Sequence, residues 1–160
     1  MSGAHEEGYR LVSKGEVDKF NVWRMKNLTA KLDFSGRNFA NVEMAGAYLN
    51  GVVADRANFA GANLKGANLV QANLNDANFE RCNLAETLLM YAELKQARLT
   101  DADLTKTNFM GANLQGADFS GSKLSQTIMV EANMEGAKVD GIARTGAYLK
   151  FAKLEGTSWA

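Results

Sequence analysis

A five-residue phrase recurs without a slip through most of this chain. Between Ala57 and Leu84 it reads Ala57-Asn58-Phe59, Ala62-Asn63-Leu64, Ala67-Asn68-Leu69, Ala72-Asn73-Leu74, Ala77-Asn78-Phe79 and Cys82-Asn83-Leu84. With the large apolar residue taken as the centre, centres fall at every fifth position from Phe34 to Trp159, giving 26 phrases with no insertion or deletion. Leu, Phe or Met fills 22 of those 26 centres, and Ala, Ser, Thr or Cys fills 21 of the 26 positions two residues earlier. A period of five matches neither the 3.6 of a helix nor the 2 of a strand, so neither regular element can run through it.

The chain must instead turn a corner once per phrase. The centre and the small residue two before it then share a face, because a gap of two returns to the same side of extended chain. Bulky and small residues alternating inward fill a narrow interior. The other three positions, mostly Asn, Asp, Lys, Glu, Gln and Gly, face water. Twelve of the 15 glycines lie two residues after a centre, as expected of a corner that needs a sharp turn or positive φ.

The A-[ND]-L-x-x phrase resembles the pentapeptide-repeat family, over about residues 32–160. The resemblance implies an all-β solenoid, a right-handed quadrilateral parallel β-helix with four phrases per coil. On that geometry the 26 phrases make about 6.5 coils, a rod roughly 30 Å long at the spacing of parallel strands. Such an interior is filled by side chains and leaves no ligand cavity. The absence of proline suits continuous backbone ladders. The single cysteine, Cys82, falls in a small inward slot, where it reads as a buried small residue and not as redox chemistry. The N-terminus lacks the apolar run of a signal peptide, and no stretch is long enough to span a bilayer; a cytoplasmic location is expected.

Ahead of the repeats, the polar residues 1–7, His5 among them, are expected to be a loose start. Tyr9–Asn27 carries helical grammar. Ser13-Lys14-Gly15-Glu16 has the form of a capping box, with Ser13 as N-cap and Glu16 reaching back. Val17, Phe20 and Trp23 or Arg24 follow at spacings of three to four, predicting a helix over 16–26. Phe20-Asn21-Val22-Trp23-Arg24 also resembles leader segments that precede the repeats in some family members. The open first coil of a solenoid exposes core and strand edge, so this helix is expected to cap it through Phe20 and Trp23. The domain division is therefore 1–31, tail and capping helix, and 32–160, repeats. Three soft spots interrupt the pattern. Ala54 is paired with Val52, an exchange of large and small. Arg144 stands at a centre and is expected to turn outward from a local bulge. The far end, where Trp159 is the last centre, is expected to be plugged by Trp159, capped by a partner or paired with its own copy.

Catalysis finds no foothold. His5 is the only histidine, and carboxylates such as Asp55, Asp76, Glu80, Asp101, Asp103 and Asp118 are scattered as a solvated face expects. No catalytic residue, cofactor or metal site is expected. Sorting the outward positions by every fourth phrase shows one unusual side. Around centres 49, 69, 89, 109, 129 and 149 the positions that should face water hold Tyr48, Val70, Leu88, Met90, Tyr91, Met110, Ile128, Val130, Tyr148 and Phe151. That much apolar area on one wall marks a contact surface.

Three occupants compete for it: the chain's own N-terminal segment, through Tyr9, Leu11 and Val12; a second copy, forming a homodimer; and a different protein. A membrane is disfavoured because no Lys/Arg cluster flanks the band. Some members of the resembled family imitate DNA and inhibit DNA gyrase, which implies a strongly acidic rod. Here the first 32 residues carry six basic and four acidic side chains, leaving 12 and 14 on the repeats, a net charge of −2. A duplex carries a charge about every 1.7 Å, so that balance neither mimics DNA nor binds it. Gyrase inhibition remains the alternative reading on resemblance alone, and a protein-interaction module is the leading one.

Overall fold

Residue i pairs with residue i+20 through most of the repeat region, always in parallel. The computed structural model describes residues 2–160. Its bridges run from Asp33↔Val53 through Asn58↔Asn78 and Asn78↔Arg98 to Asn133↔Lys153, and the short strands β1 (Thr127–Ile128) and β2 (Ala147–Tyr148) continue the same register. Four phrases thus complete each turn of a parallel β-helix. The expected inward positions are buried: Leu64, Ala67, Leu69, Ala72, Leu74, Ala77 and Phe79 all have essentially no exposure. Phe39, Phe59 and Phe79 stack nearly parallel with centroids 5.1 and 4.9 Å apart, close to the ~4.8 Å spacing of strands. Val52 and Ala54 are both buried, which accommodates their exchanged sizes.

One phrase shows why the sequence reads as it does. In 77–81 the Ala77 N–H donates to Leu74 O, closing a turn; Asn78 N–H donates back one coil to Ala57 O, and Phe79 and Arg81 N–H donate forward to Arg98 O and Thr100 O. Backbone geometry leaves one donor over, the N–H of Glu80, and the Asn78 side-chain Oδ1 accepts it at 3.0 Å. The same bond recurs from Ala60 to Asn58, Lys65 to Asn63, Val70 to Asn68 and Met110 to Asn108. Asn or Asp before the centre is therefore an acceptor for the fifth N–H of its phrase, an Asx turn repeated along the rod. The residue two after the centre takes positive φ not only as glycine but at thirteen other residues, from Asn41 to Phe151. Each such residue costs about 1 kcal/mol, offset by the N–H that this conformation aims at the next coil.

Thr87, Thr107 and Thr127 occupy small inward slots one above another. Each hydroxyl donates to a carbonyl of the preceding coil (Leu64, Leu84 and Leu104 O) at 2.7 Å, so no polar atom there is buried unpaired. Cys82 is buried, and desolvation pushes its thiol pKa up to about 12 against a weaker lowering hydrogen bond; its Sγ donates to Ala62 O at 3.1 Å. A thiol of that kind is not a nucleophile.

The N-terminus departs from expectation. Residues from Ser2 to Ser13 form a helix, α1, so the supposed loose start is ordered wherever it is described; Met1 lies outside the described residues. His5 does not sit in a loose segment but packs on Phe34 with centroids 5.7 Å apart. Its Nδ1 accepts the Asp33 N–H at 3.4 Å. The cause is tertiary: Leu11 and Val12 are buried, and Tyr9 packs edge-on against Phe39, which outweighs the weak helix propensity of Gly3 and Gly8. Gly8 also lets α1 lie close to the Trp23 ring, which a Cβ there would meet at 2.8 Å.

The capping box is a misreading as well. Ser13 ends α1, and its hydroxyl donates only to Arg10 O at 3.4 Å. Gly15 adopts φ +71°, with Gly15 N–H bonding Val12 O and Glu16 N–H bonding Leu11 O. That pair of bonds closes α1 as a Schellman motif. The second helix, α2 (Val17–Lys26), starts with Glu16 itself at the N-cap and no side-chain cap bond. Among the described residues no helix is long and apolar enough to cross a membrane.

Candidate functional site

The apolar band forms a straight wall because the register is 20. Tyr48, Asn68, Leu88, Asn108, Ile128 and Tyr148 are joined by successive bridges and pairs, one per coil. Two residues on, Val70, Met90, Met110 and Val130 make a second, half-buried column. Tyr91 and Phe151 occupy the corner column, at positive φ. Tyr91 lies flat across Gly111, one coil on, in space a Cβ would fill. The large side chains at the margins stay open to water: Tyr48 43 %, Leu88 37 %, Tyr91 56 %, Tyr148 56 % and Phe151 72 %. Lys150 Nζ sits 5.1 Å over the Phe151 ring, a single cation at the wall's far end.

The N-terminal helices engage the first coil. Tyr9 packs on Phe34 and Phe39 with Arg37 stacked 4.4 Å over its ring. Asn21 of α2 takes the Tyr48 N–H at 2.9 Å and donates to Gly46 O at 3.0 Å, so α2 meets the wall at its first coil. Phe20 is fully buried, with the partly buried Trp23 stacked on it at 5.9 Å. Arg24, read in the sequence only by its place in the α2 stripe and the leader segment, has a different role. Its buried guanidinium donates to Asn27 O, Ala30 O and Asn50 O, tying the end of α2 and the linker to the first coil. With no carboxylate in that set, burial pulls its pKa down from the ordinary arginine value. No apolar periodicity signals such a role.

At the other end Trp159 is buried, and its Nε1 donates to Ile142 O at 3.2 Å. Arg144 is exposed and turned out of the core in a short 3-10 turn, η1 (Arg144–Gly146), donating to Trp159 O at 2.8 Å.

Residues 52–129 match the family model described as the pentapeptide repeat region. Those residues are a pentapeptide-repeat region. Pentapeptide-repeat proteins form right-handed quadrilateral β-helices, the architecture that the 20-residue register produces here. Among solved structures the chain is similar to HetL, a pentapeptide repeat protein involved in heterocyst differentiation regulation in the cyanobacterium Nostoc. Identity is 28 % over 80 % of this chain and 64 % of HetL, with a TM-score of 0.54; the chain thus spans less than two thirds of HetL's length. It is also similar to Rfr23 from the cyanobacterium Cyanothece, at 24 % identity over 88 % of this chain and 93 % of that one, with a TM-score of 0.32. QnrB1, a plasmid-mediated fluoroquinolone resistance protein, is 17 % identical over 77 % of this chain and 79 % of its own, with a TM-score of 0.29. No curated protein matches the chain.

Proposed function

We propose that this chain is a non-enzymatic protein-interaction module of the cytoplasm, a rigid adaptor whose apolar wall docks a protein surface. That surface belongs to a second copy or to a different chain. In this reading residues 1–31 cap the first of about 6.5 coils and residues 32–160 form the rod. The supporting observation is the exposure of Leu88, Tyr91, Tyr148 and Phe151 on the wall that also carries Val70, Met90, Met110 and Val130. Methionine gives a contact surface that adapts to its partner, and tyrosine anchors with a polar tip. The hydrogen bonds from α2 to this wall fall on its first coil, at Tyr48 and Asn50, which argues against the N-terminal segment as its cover.

The decisive variant is Met90→Lys with Met110→Glu. Light scattering should show the same dilute monomer with a nearly unchanged melting temperature. Dimerisation or capture of a partner should be lost, because two charges would be desolvated in the centre of the contact. If association survives the double substitution, the wall is not the docking surface.

A further inference from the structure

We infer that the corner at Leu124–Gln126 is an oxyanion site, a cradle of backbone N–H groups that takes a carboxylate or a phosphate. The inference does not rest on the docking role of the wall. Successive N–H groups around a turn with one left-handed residue form an anion-binding concavity. Every corner of this rod has that shape; from Phe34 to Gly116 its first and third donors are used within the chain, and the corners 139–141, 149–151 and 154–156 leave theirs free at the open far end, with no facing segment. One coil earlier Leu104 N–H donates to Lys123 O, Thr105 N–H to Asp103 Oδ1 and Lys106 N–H to Ser125 O. At the corresponding Leu124, Ser125 and Gln126, none of the three N–H groups has an acceptor in the chain, although Gln126 keeps the left-handed φ of 54°.

The cause is legible residue by residue. Lys123 stands where Asp103 stands one coil earlier, so Ser125 has no side-chain acceptor. Arg144 stands where Leu124 stands one coil earlier and cannot turn inward. The η1 turn that results draws away the carbonyls that should complete the ladder. Ala143 O, the expected partner of Leu124 N–H, accepts Gly146 N–H at 3.3 Å instead. The bridge column Glu43–Asn63–Asn83–Asp103–Lys123 stops there, while neighbouring columns continue to Tyr148 and Lys153.

A cleft of about 300 Å3 opens between the two segments, lined by Leu124, Ser125 and Gln126 on one side and Thr145, Gly146 and Tyr148 on the other. No carboxylate lines it. Free donors, neutral hydroxyls and no negative charge select an acceptor-only group.

The test is amide NMR of the full chain titrated with inorganic phosphate and, separately, with acetate, at ionic strength held constant with chloride. The resonances of Leu124–Gln126 should shift and saturate, and those of Leu104–Lys106 should not. A response to phosphate alone assigns a phosphate ligand, and one to acetate alone a carboxylate. Arg144→Leu should let 143–146 resume the ladder, raising the melting temperature and abolishing the saturable shifts. Ser125→Asp should abolish them without a change of fold, by placing a carboxylate at the donors. The proposal is overturned if neither anion shifts the 124–126 amides more than the 104–106 amides. It is equally overturned if binding persists in folded Arg144→Leu, or in Ser125→Asp where the first variant does not fold.

Discussion

The first and last coils are written in the same phrase and yet are not the same environment. Leu32, Phe34, Phe39, Met44 and Leu49 are at most 2 % exposed under α1 and α2. At the far end Ile142, Leu149 and Leu154 are only partly buried, Arg144 has left the interior, and Trp159 alone covers the opening. Ala67-Asn68-Leu69 and Ala147-Tyr148-Leu149 differ in one residue, but Leu69 is core and Leu149 is rim. Position along the axis, as much as residue type, decides what an inward side chain is worth, because each coil is buried by its neighbours.

A charge placed at the two locations should expose this gradient most strongly. Leu74→Asp puts an unpaired carboxylate where there is no exposure at all, and should destabilise by at least about 4 kcal/mol or unfold the rod outright. Leu154→Asp, at the rim, should be much milder. Urea midpoints measure both, and equal losses would erase the distinction between the ends.

Next in size comes the cover itself. Phe20→Ser with Trp23→Ser should lower stability by roughly 3–5 kcal/mol through lost burial and promote end-to-end association visible in light scattering. Trp159→Ser should cost less than half of that, since it leaves an end already partly wet. A doubly substituted rod that stays monomeric with its melting point intact would remove the helices from the role proposed for them.

The smallest effect is acid lability. Asp33 is held below the usual carboxylate pKa by hydrogen bonding with Ser35. For Asp118, burial pushes upward, but hydrogen bonds from the Ser120 hydroxyl and N–H together with Lys138 outweigh it. A depressed folded-state pKa stabilises above the unfolded value, and that contribution is lost as pH falls through the folded one. Melting temperature should therefore be flat near neutrality and decline below about pH 4. Ser120→Ala should blunt the Asp118 share in the middle of the rod and leave the Asp33 share at the covered end untouched.

Most of the rod was readable from residues because each phrase declares its own inside and outside. The repeated Asn was readable as facing outward, though not as the acceptor of a backbone N–H. The N-terminal helices were less so. Gly15 marks a helix end as plausibly as Ser13 marks a beginning, and only the Schellman bonds distinguish the two. The first helix has two glycines and gains its order from Tyr9, Leu11 and Val12 meeting a surface that the local sequence does not describe. Arg24 shares the helical spacing of the stripe, but its role was not legible, since its partners are carbonyls up to 26 residues away. Arg144 announced a bulge, but which donors the bulge would strand depends on Lys123, in the coil before.

The register of 20 also makes this chain an indexed object. Removing one whole coil of sequence shortens the rod and slides the surface beyond it down one step, every column intact. Removing a single phrase preserves the inside of the rod just as well, yet it turns everything downstream by a quarter of a revolution, so that the far half of the wall faces sideways from the near half. The fold is indifferent to the difference; any partner spanning several coils is not. A lineage built on such a ruler can gain or lose phrases freely as far as folding is concerned, while a surface read across coils holds its length to multiples of four.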